Sequence, residues 1–199
     1  VAYRRTPAVQ ARLDAQRDAV LRAAVALLAE QGYAGCSVAA VARQAGIATG
    51  TVYQHFAGKA DLSVELFRTV VGREVAAVTE AAERADGPLQ RVAAVVETFA
   101  ARALRAPRLA YALLAEPADP VVEAERLVFR RAFRDLFATQ VAAAAAAGLI
   151  PPQNAELTAA AVVGAVGEAL VGPLAAGGVP PDRLIPALVT FTLRALGGQ

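Results

Sequence analysis

The run Ser37 to Phe56, SVAAVARQAGIATGTVYQHF, constrains this chain more than any other stretch. Val38, Val41, Ala42 and Ala45 recur at helical spacing on one face, and Gly46 stops that helix. Ile47 reads as a buried turn residue. Thr49 to Phe56 restarts helical with Val52 and Phe56 turned inward. A small residue at Ala42 lets the two helices cross closely, and Gly46 can take the positive φ that a sharp reversal needs. This spacing fits a helix-turn-helix, whose second helix lies in the major groove of DNA, and it equally fits an αα-hairpin inside a helical core. The outward residues separate the two. Thr49, Gly50, Thr51, Tyr53, Gln54 and His55 are polar or small, none is acidic, and Lys59 follows. A solvated helix face normally mixes Glu with Lys, so an acid-free face beside a lysine suits a polyanion.

Charge along the chain points the same way. Residues 1–60 hold seven basic groups against three acids, a net +4, and the remainder holds thirteen against fifteen, a net −2. A basic head on a slightly acidic body fits a nucleic-acid-binding module attached to something else, although chance clustering of arginines gives so small a difference too.

The segment Ala19 to Leu62 resembles the DNA-binding domain of the TetR family of bacterial transcriptional regulators. The resemblance is carried by Ala23-Ala24, Glu30-Gln31-Gly32-Tyr33, Ser37-Val38, Val41-Ala42, Ala45-Gly46-Ile47, Gly50-Thr51-Val52-Tyr53, His55-Phe56 and Lys59. It covers roughly the first third of the chain. It implies that Tyr33 packs under the DNA-binding helices, that Ser37 meets a phosphate while capping its helix, and that Tyr53 and His55 form a phosphate-contacting pair. Two departures stand out. Cys36 sits where many relatives carry Thr, and Ala48 where relatives often have Ser. Alanine caps poorly, so Thr49 is expected to take over and shift the helix start by one residue.

Each exposed residue of the second helix has a physical task open to it. Gly50 lets backbone approach the sugar-phosphate, and Thr49 and Thr51 can bond a phosphate or set a methyl against thymine. Gln54 can pair bidentately with adenine and is the expected main base reader. Lys59 opens the next helix, where its charge and the helix N-terminus act on a phosphate together. Arg43 reaches backbone or base, or stays a free surface group. Arg4 and Arg5 form an arm that enters a minor groove or stays solvated.

An all-α fold follows from the rest: an N-terminal three-helix helix-turn-helix domain, residues 1–60, joined by a long helix to a helical ligand-binding and dimerisation domain, residues 61–199. The first helix starts at Pro7 and ends at Gln31, with Gly32 as its stop. The linking helix covers 60–84. Breaks at Asp86-Gly87-Pro88, Pro107, Asp119-Pro120, Gly148 to Pro151 and Gly177-Gly178 then set helices at 88–105, 107–116, 120–147, 155–176 and 181–196, with Asp119 and Asn154 as caps. The abundant alanine favours helix over membrane partitioning, and the most apolar segment, Ala159 to Ala176, is interrupted by Gly164, Gly167, Glu168, Gly172 and Pro173. No membrane partner, secretory leader, cofactor or metal is expected. The one Cys36 fits a reducing cytoplasm. With one histidine, His55, and two serines, Ser37 and Ser63, an enzyme lacks parts for a nucleophilic triad or a His/Cys metal site.

The family resemblance implies a homodimer on a double-stranded, palindromic operator, and an effector cavity in the body. Gly164, Gly167, Leu184, Leu188 and Phe191 are the dimer candidates. Phe99, Tyr111, Phe129, Phe133 and Phe137 are candidates to line the cavity, with Glu97 or Glu168 as polar anchor, although ordinary core packing suits the four-residue repeat of Phe129, Phe133 and Phe137 better. Such a cavity favours a largely hydrophobic, aromatic or cationic small molecule. The expected function is a repressor released by its ligand; an activator or a ligand-free architectural DNA binder is the alternative.

Overall fold

A computed structural model describes residues 6–176 and 180–197, so Arg4, Arg5 and Gly177-Gly178 lie outside the described residues. Nine helices and no strand occur among the described residues: α1 (Pro7–Gly35), α2 (Val38–Ala45), α3 (Thr49–Tyr53), α4 (Lys59–Glu83), α5 (Pro88–Arg105), α6 (Pro107–Leu114), α7 (Pro120–Ala146), α8 (Ala155–Ala176) and α9 (Pro181–Ala195). Proline opens α1, α5, α6, α7 and α9, where its missing N–H costs no hydrogen bond. Gly32, at φ 67° and ψ −170°, interrupts α1 and leaves Tyr33 to Gly35 as a separate turn.

Two apolar cores organise the chain. The first gathers Val20, Ala24, Leu27 and Leu28 of α1, Val41 and Ala42 of α2, Val52 of α3, and Phe56. It also takes Leu62, Leu66, Phe67, Val70 and Val71 from α4, and Ala112, Leu113 and Val122 from α6 and α7. The second holds Val78 and Ala82 from the far end of α4 with the apolar faces of α5, α7, α8 and α9. Helix α4 is therefore buried at one end in the head and at the other in the body. Ion pairs tie its flank to three neighbours: Glu65 to Arg17 of α1, Arg68 to Glu125 of α7 at 2.6 Å, and Glu74 to Arg102 of α5 at 2.5 Å. The Arg68 guanidinium holds the Glu125 carboxyl below its ordinary range.

Several element ends differ from the sequence expectation, for local reasons. Helix α3 stops at Tyr53 and not Phe56, because the N–H groups of Gln54 and His55 turn back to Thr51 and Val52 at 3.2 and 3.0 Å, the tighter i→i−3 pattern. It starts at Thr49 as the residue after an Ala48 that caps through its backbone alone, so the one-residue shift does not occur. Asp119 makes no side-chain cap on α7; the Glu123 carboxylate instead accepts from the Ala118 N–H at 3.3 Å. Asn154 does cap α8, accepting from the Leu157 N–H at 3.0 Å. Helix α8 is long and apolar enough to cross a membrane by length and composition, its interrupting glycines notwithstanding. Here Val162, Val166, Leu170 and Leu174 face the second core.

Gly46 carries the turn between α2 and α3 at φ 67°. Its N–H reaches Arg43 O at 3.2 Å and the Ile47 N–H reaches Ala42 O at 3.0 Å, the paired bonds of a Schellman motif. A Cβ added at Gly46 meets nothing within 4 Å, so backbone conformation and not space requires glycine. Gly46→Ala should therefore lower stability by about 1–2 kcal/mol, read from the urea midpoint at unchanged m-value.

Candidate nucleic-acid interface and effector cavity

The candidate reading face rests on one buried anchor. Val52 is fully buried among α1, α2 and α4, which fixes the rotation of α3 and turns its other residues out. Thr49, Gly50, Tyr53 and Gln54 are exposed, Tyr53 at 56%, and Thr51 is half-buried at their edge. Gly50 has open space where a Cβ would stand, so another molecule's backbone can come close. Ser37 accepts from the Ala40 N–H at 3.2 Å, capping α2, and stays exposed. Arg43 and Lys59 are exposed on either side of the turn, with Lys59 in the first turn of α4. His55 differs from its expected outward position. It is half-buried, its ring lies against Phe56, and its Nε2 is enclosed without a hydrogen-bond partner.

The head is clamped to the body by groups absent from the sequence reading. Glu116, just beyond α6, accepts from the Tyr33 N–H at 2.9 Å. A Cβ at Gly32 would stand 2.5 Å from the same carboxylate, so Gly32 serves both a positive φ and a close approach. Arg126 of α7, itself buried, donates to the carbonyls of Ala112 and Glu116 at 3.1 and 2.9 Å and to Glu123 at 2.7 Å. Arg108 adds a bond to Glu30 O at 2.8 Å. The Tyr33 hydroxyl and the Cys36 thiol are buried beside this clamp, and burial raises the pKa of both, Cys36 to about 11.

Between α4, α5, α6, α7 and α8 lies a cavity of about 730 Å³, within the range of small-molecule sites. Phe99, Phe129, Phe133 and Phe137 line it as expected, and Phe67 joins them. Phe99 meets Phe133 edge-on at 5.3 Å, and Phe67 meets Phe129 at 5.5 Å. Two expected residues are placed elsewhere: Glu97 points to solvent from the outer face of α5, and Tyr111 packs into the second core. Glu168 lines the cavity, but the polar groups there are mainly arginines: Arg102, Arg126, Arg130, Arg131 and Arg134.

The dimer candidates also divide. Leu188 is only 5% exposed and, with half-buried Leu184, holds α9 onto its own chain through the second core, which removes it from an outer surface. Gly164 and Gly167 line the cavity, and a Cβ at either meets nothing within 4 Å. Phe191 is 47% exposed and Leu157 68% exposed, so both are open to a second chain.

The description "bacterial regulatory proteins, tetR family" belongs to the sequence pattern that matches residues 20–66, the segment from the middle of α1 to the first turns of α4. That segment carries the TetR-family pattern. It is 38% identical over 61 residues to the fatty acid metabolism regulator protein of Bacillus subtilis, covering 31% of each chain. It is 31% identical over 84 residues to the HTH-type transcriptional repressor KstR2 of Mycobacterium tuberculosis, covering 42% of each. The matched stretch thus spans less than half of those relatives' own lengths. The similarity of fold extends further. The regulator FadR of Bacillus halodurans superposes with a TM-score of 0.77 at 20% identity, over 88% of this chain and 97% of that one. FadR of Bacillus subtilis, solved in complex with stearoyl-CoA, gives 0.79 at 19% identity, over 89% and 97%.

Within this TetR-family head, the buried thiol gives a pH-dependent signature. A thiol whose pKa rises from 9.0 to about 11 on folding keeps its proton longer in the folded state, so it contributes stability below pH 9 that is lost as pH climbs through 11. Chemical denaturation across pH 8 to 11.5 should show that decline, and Cys36→Ala should flatten it; Tyr33 supplies a further decline at higher pH.

Proposed function

We propose that the chain is a ligand-responsive, DNA-binding transcriptional repressor, with residues 1–60 reading DNA and residues 61–199 binding effector and a second copy. The observation that carries this reading is the acid-free ridge of Thr49, Gly50, Tyr53 and Gln54, which is exposed among the described residues. In this reading Thr49, Thr51, Ser37, Tyr53 and Lys59 hold phosphates, Arg43 lies at the flank, and Gln54 reads a base from the C-terminal end of α3. His55 supports the loop after α3 more than it meets DNA.

One α3 reads too few base pairs, so the repressor works as a homodimer on a palindrome with half-sites about one DNA turn apart. The open faces of α8 and α9 around Leu157 and Phe191 are suited to the second copy. The effector is a small, largely hydrophobic molecule held among Phe99, Phe129, Phe133 and Phe137. An acyl chain suits that lining, and the similarity to a FadR solved with stearoyl-CoA supports the same class of ligand. Such a regulator acts on the chromosome, in the bacterial cytoplasm.

Two connections link cavity to ridge. Helix α4 spans both cores, and its Phe67, Val71 and Glu74 touch the cavity. The second runs through Leu113 and Leu114 of α6 and through Arg126, which border the cavity, to Glu116 and so to the backbone of Tyr33. Ligand that spreads α6 from α7 pulls Glu116 and tilts the head; a coupling of about 1–3 kcal/mol lowers operator affinity about 5- to 150-fold.

A genomic footprint supplies the operator for the test. Gln54→Ala should cost about 1–3 kcal/mol at one or two base pairs and relax preference there, whereas Lys59→Ala should weaken all sequences alike and reduce the salt slope by about 1. Glu116→Ala should keep operator affinity in the absence of effector and lose most of the release on adding it. Identical binding of every operator variant by Gln54→Ala and the parent would remove Gln54 as the base reader, and absence of any footprint would remove the regulator reading.

A further inference from the structure

Helix α7 carries two parallel stripes with a period of four. Phe129, Phe133 and Phe137 form one; Arg126, Arg130 and Arg134 form the other, about 12 Å long and one helical step away, and both border the cavity. The arginines are not equivalent. Arg126 spends its terminal nitrogens on Glu123 and two carbonyls, with its Nε enclosed without a partner, and Arg102 is committed to Glu74. Arg130 and Arg131 make no ion pair among the described residues. Arg134 has only Asp135 at 3.9 Å, beyond hydrogen-bonding distance, and its Nε is enclosed with no partner. Against these three uncommitted guanidiniums the lining offers one carboxylate without an ion pair, Glu168. A buried donor without an acceptor is costly, and a guanidinium fork matches carboxylate and phosphate geometry.

We infer that the cavity takes an anionic amphiphile, its acidic head held by Arg130 and Arg134 with Arg131 at the rim, and its hydrocarbon tail lying among Phe99, Phe133 and Phe137. The inference rests on the reading of this cavity as the effector site, and it reverses the charge expected from Glu97 and Glu168. A purely apolar ligand would leave the Arg134 Nε unsatisfied. A cationic ligand would face three like charges for one opposite one.

The test measures binding to the full chain without DNA, by calorimetry below the micelle concentration of each probe. Palmitate, hexadecyl phosphate, hexadecanol and hexadecylamine present one tail with four heads. At least one of the two anions should bind about tenfold tighter than the alcohol, and the better of the two tells carboxylate from phosphate recognition. Arg130→Gln combined with Arg134→Gln should bring that anion to the level of hexadecanol and leave hexadecanol unchanged, with far-UV circular dichroism and Tm as the control for folding. Equal binding of the anions and the alcohol by the unaltered protein, or tighter binding of hexadecylamine, overturns the inference without recourse to any variant. Anion binding that leaves a footprinted operator occupied counts against the regulator reading and in favour of this one. Operator release by hexadecanol as readily as by palmitate does the reverse.

Discussion

Glu116 sets its carboxylate against the backbone of Gly32 and Tyr33, and the relation between head and body depends on that contact. Glycine at position 32 is what lets it form: any side chain there would occupy the space of the carboxylate. Arg126 secures the other end by gripping, from α7, the Ala112 and Glu116 carbonyls at the C-terminal end of α6, where helix carbonyls lack partners of their own. A charge-assisted bond in partly buried surroundings is stronger than the same bond in water. Movement of α6 against α7 is therefore felt at Tyr33, which shares its core with α2 and α3.

Helix α4 supplies the other half of the connection and distributes the strain differently. Its Leu62 to Val71 segment belongs to the core of the head, and Val78 and Ala82 belong to that of the body. The ion pairs to Arg17, Glu125 and Arg102 add polar ties along its flank to α1, α7 and α5. The head's core draws on α4, α6 and α7 as well as on α1 to α3, so division of the chain at residue 60 cuts through a continuous apolar cluster.

Much of this was legible in the amino-acid sequence, because the signals were local. Pro7, Pro88, Pro107, Pro120 and Pro181 mark helix starts, Asn154 caps α8, and Gly46 stops α2, each through its own backbone chemistry. The outward face of α3 was legible because Val52, its one buried residue, fixes the helix's rotation. What escaped was long-range. Nothing near Glu116 in sequence announces Tyr33, 83 positions away. Leu188 has the composition of an interface residue, and only the position of α5 beneath α9 makes it core. Residue type alone suggests Glu97 and Tyr111 for the cavity, while helix rotation decides which way each points. The arginine stripe was within reach: the spacing 126, 130, 134 alongside 129, 133, 137 is visible in the letters, once charge is followed with the same period as apolarity.

Because α3 is five residues long and held by Val52 alone, its outer positions contribute little to folding. Exposed substitutions away from caps and cores typically change stability by less than about 0.5 kcal/mol. Thr49, Tyr53 and Gln54 can accordingly be exchanged for other side chains while the scaffold under them stays intact. The side chains that α3 presents are thus open to drift and to engineering, one short surface helix at a time, with both apolar cores left as they were.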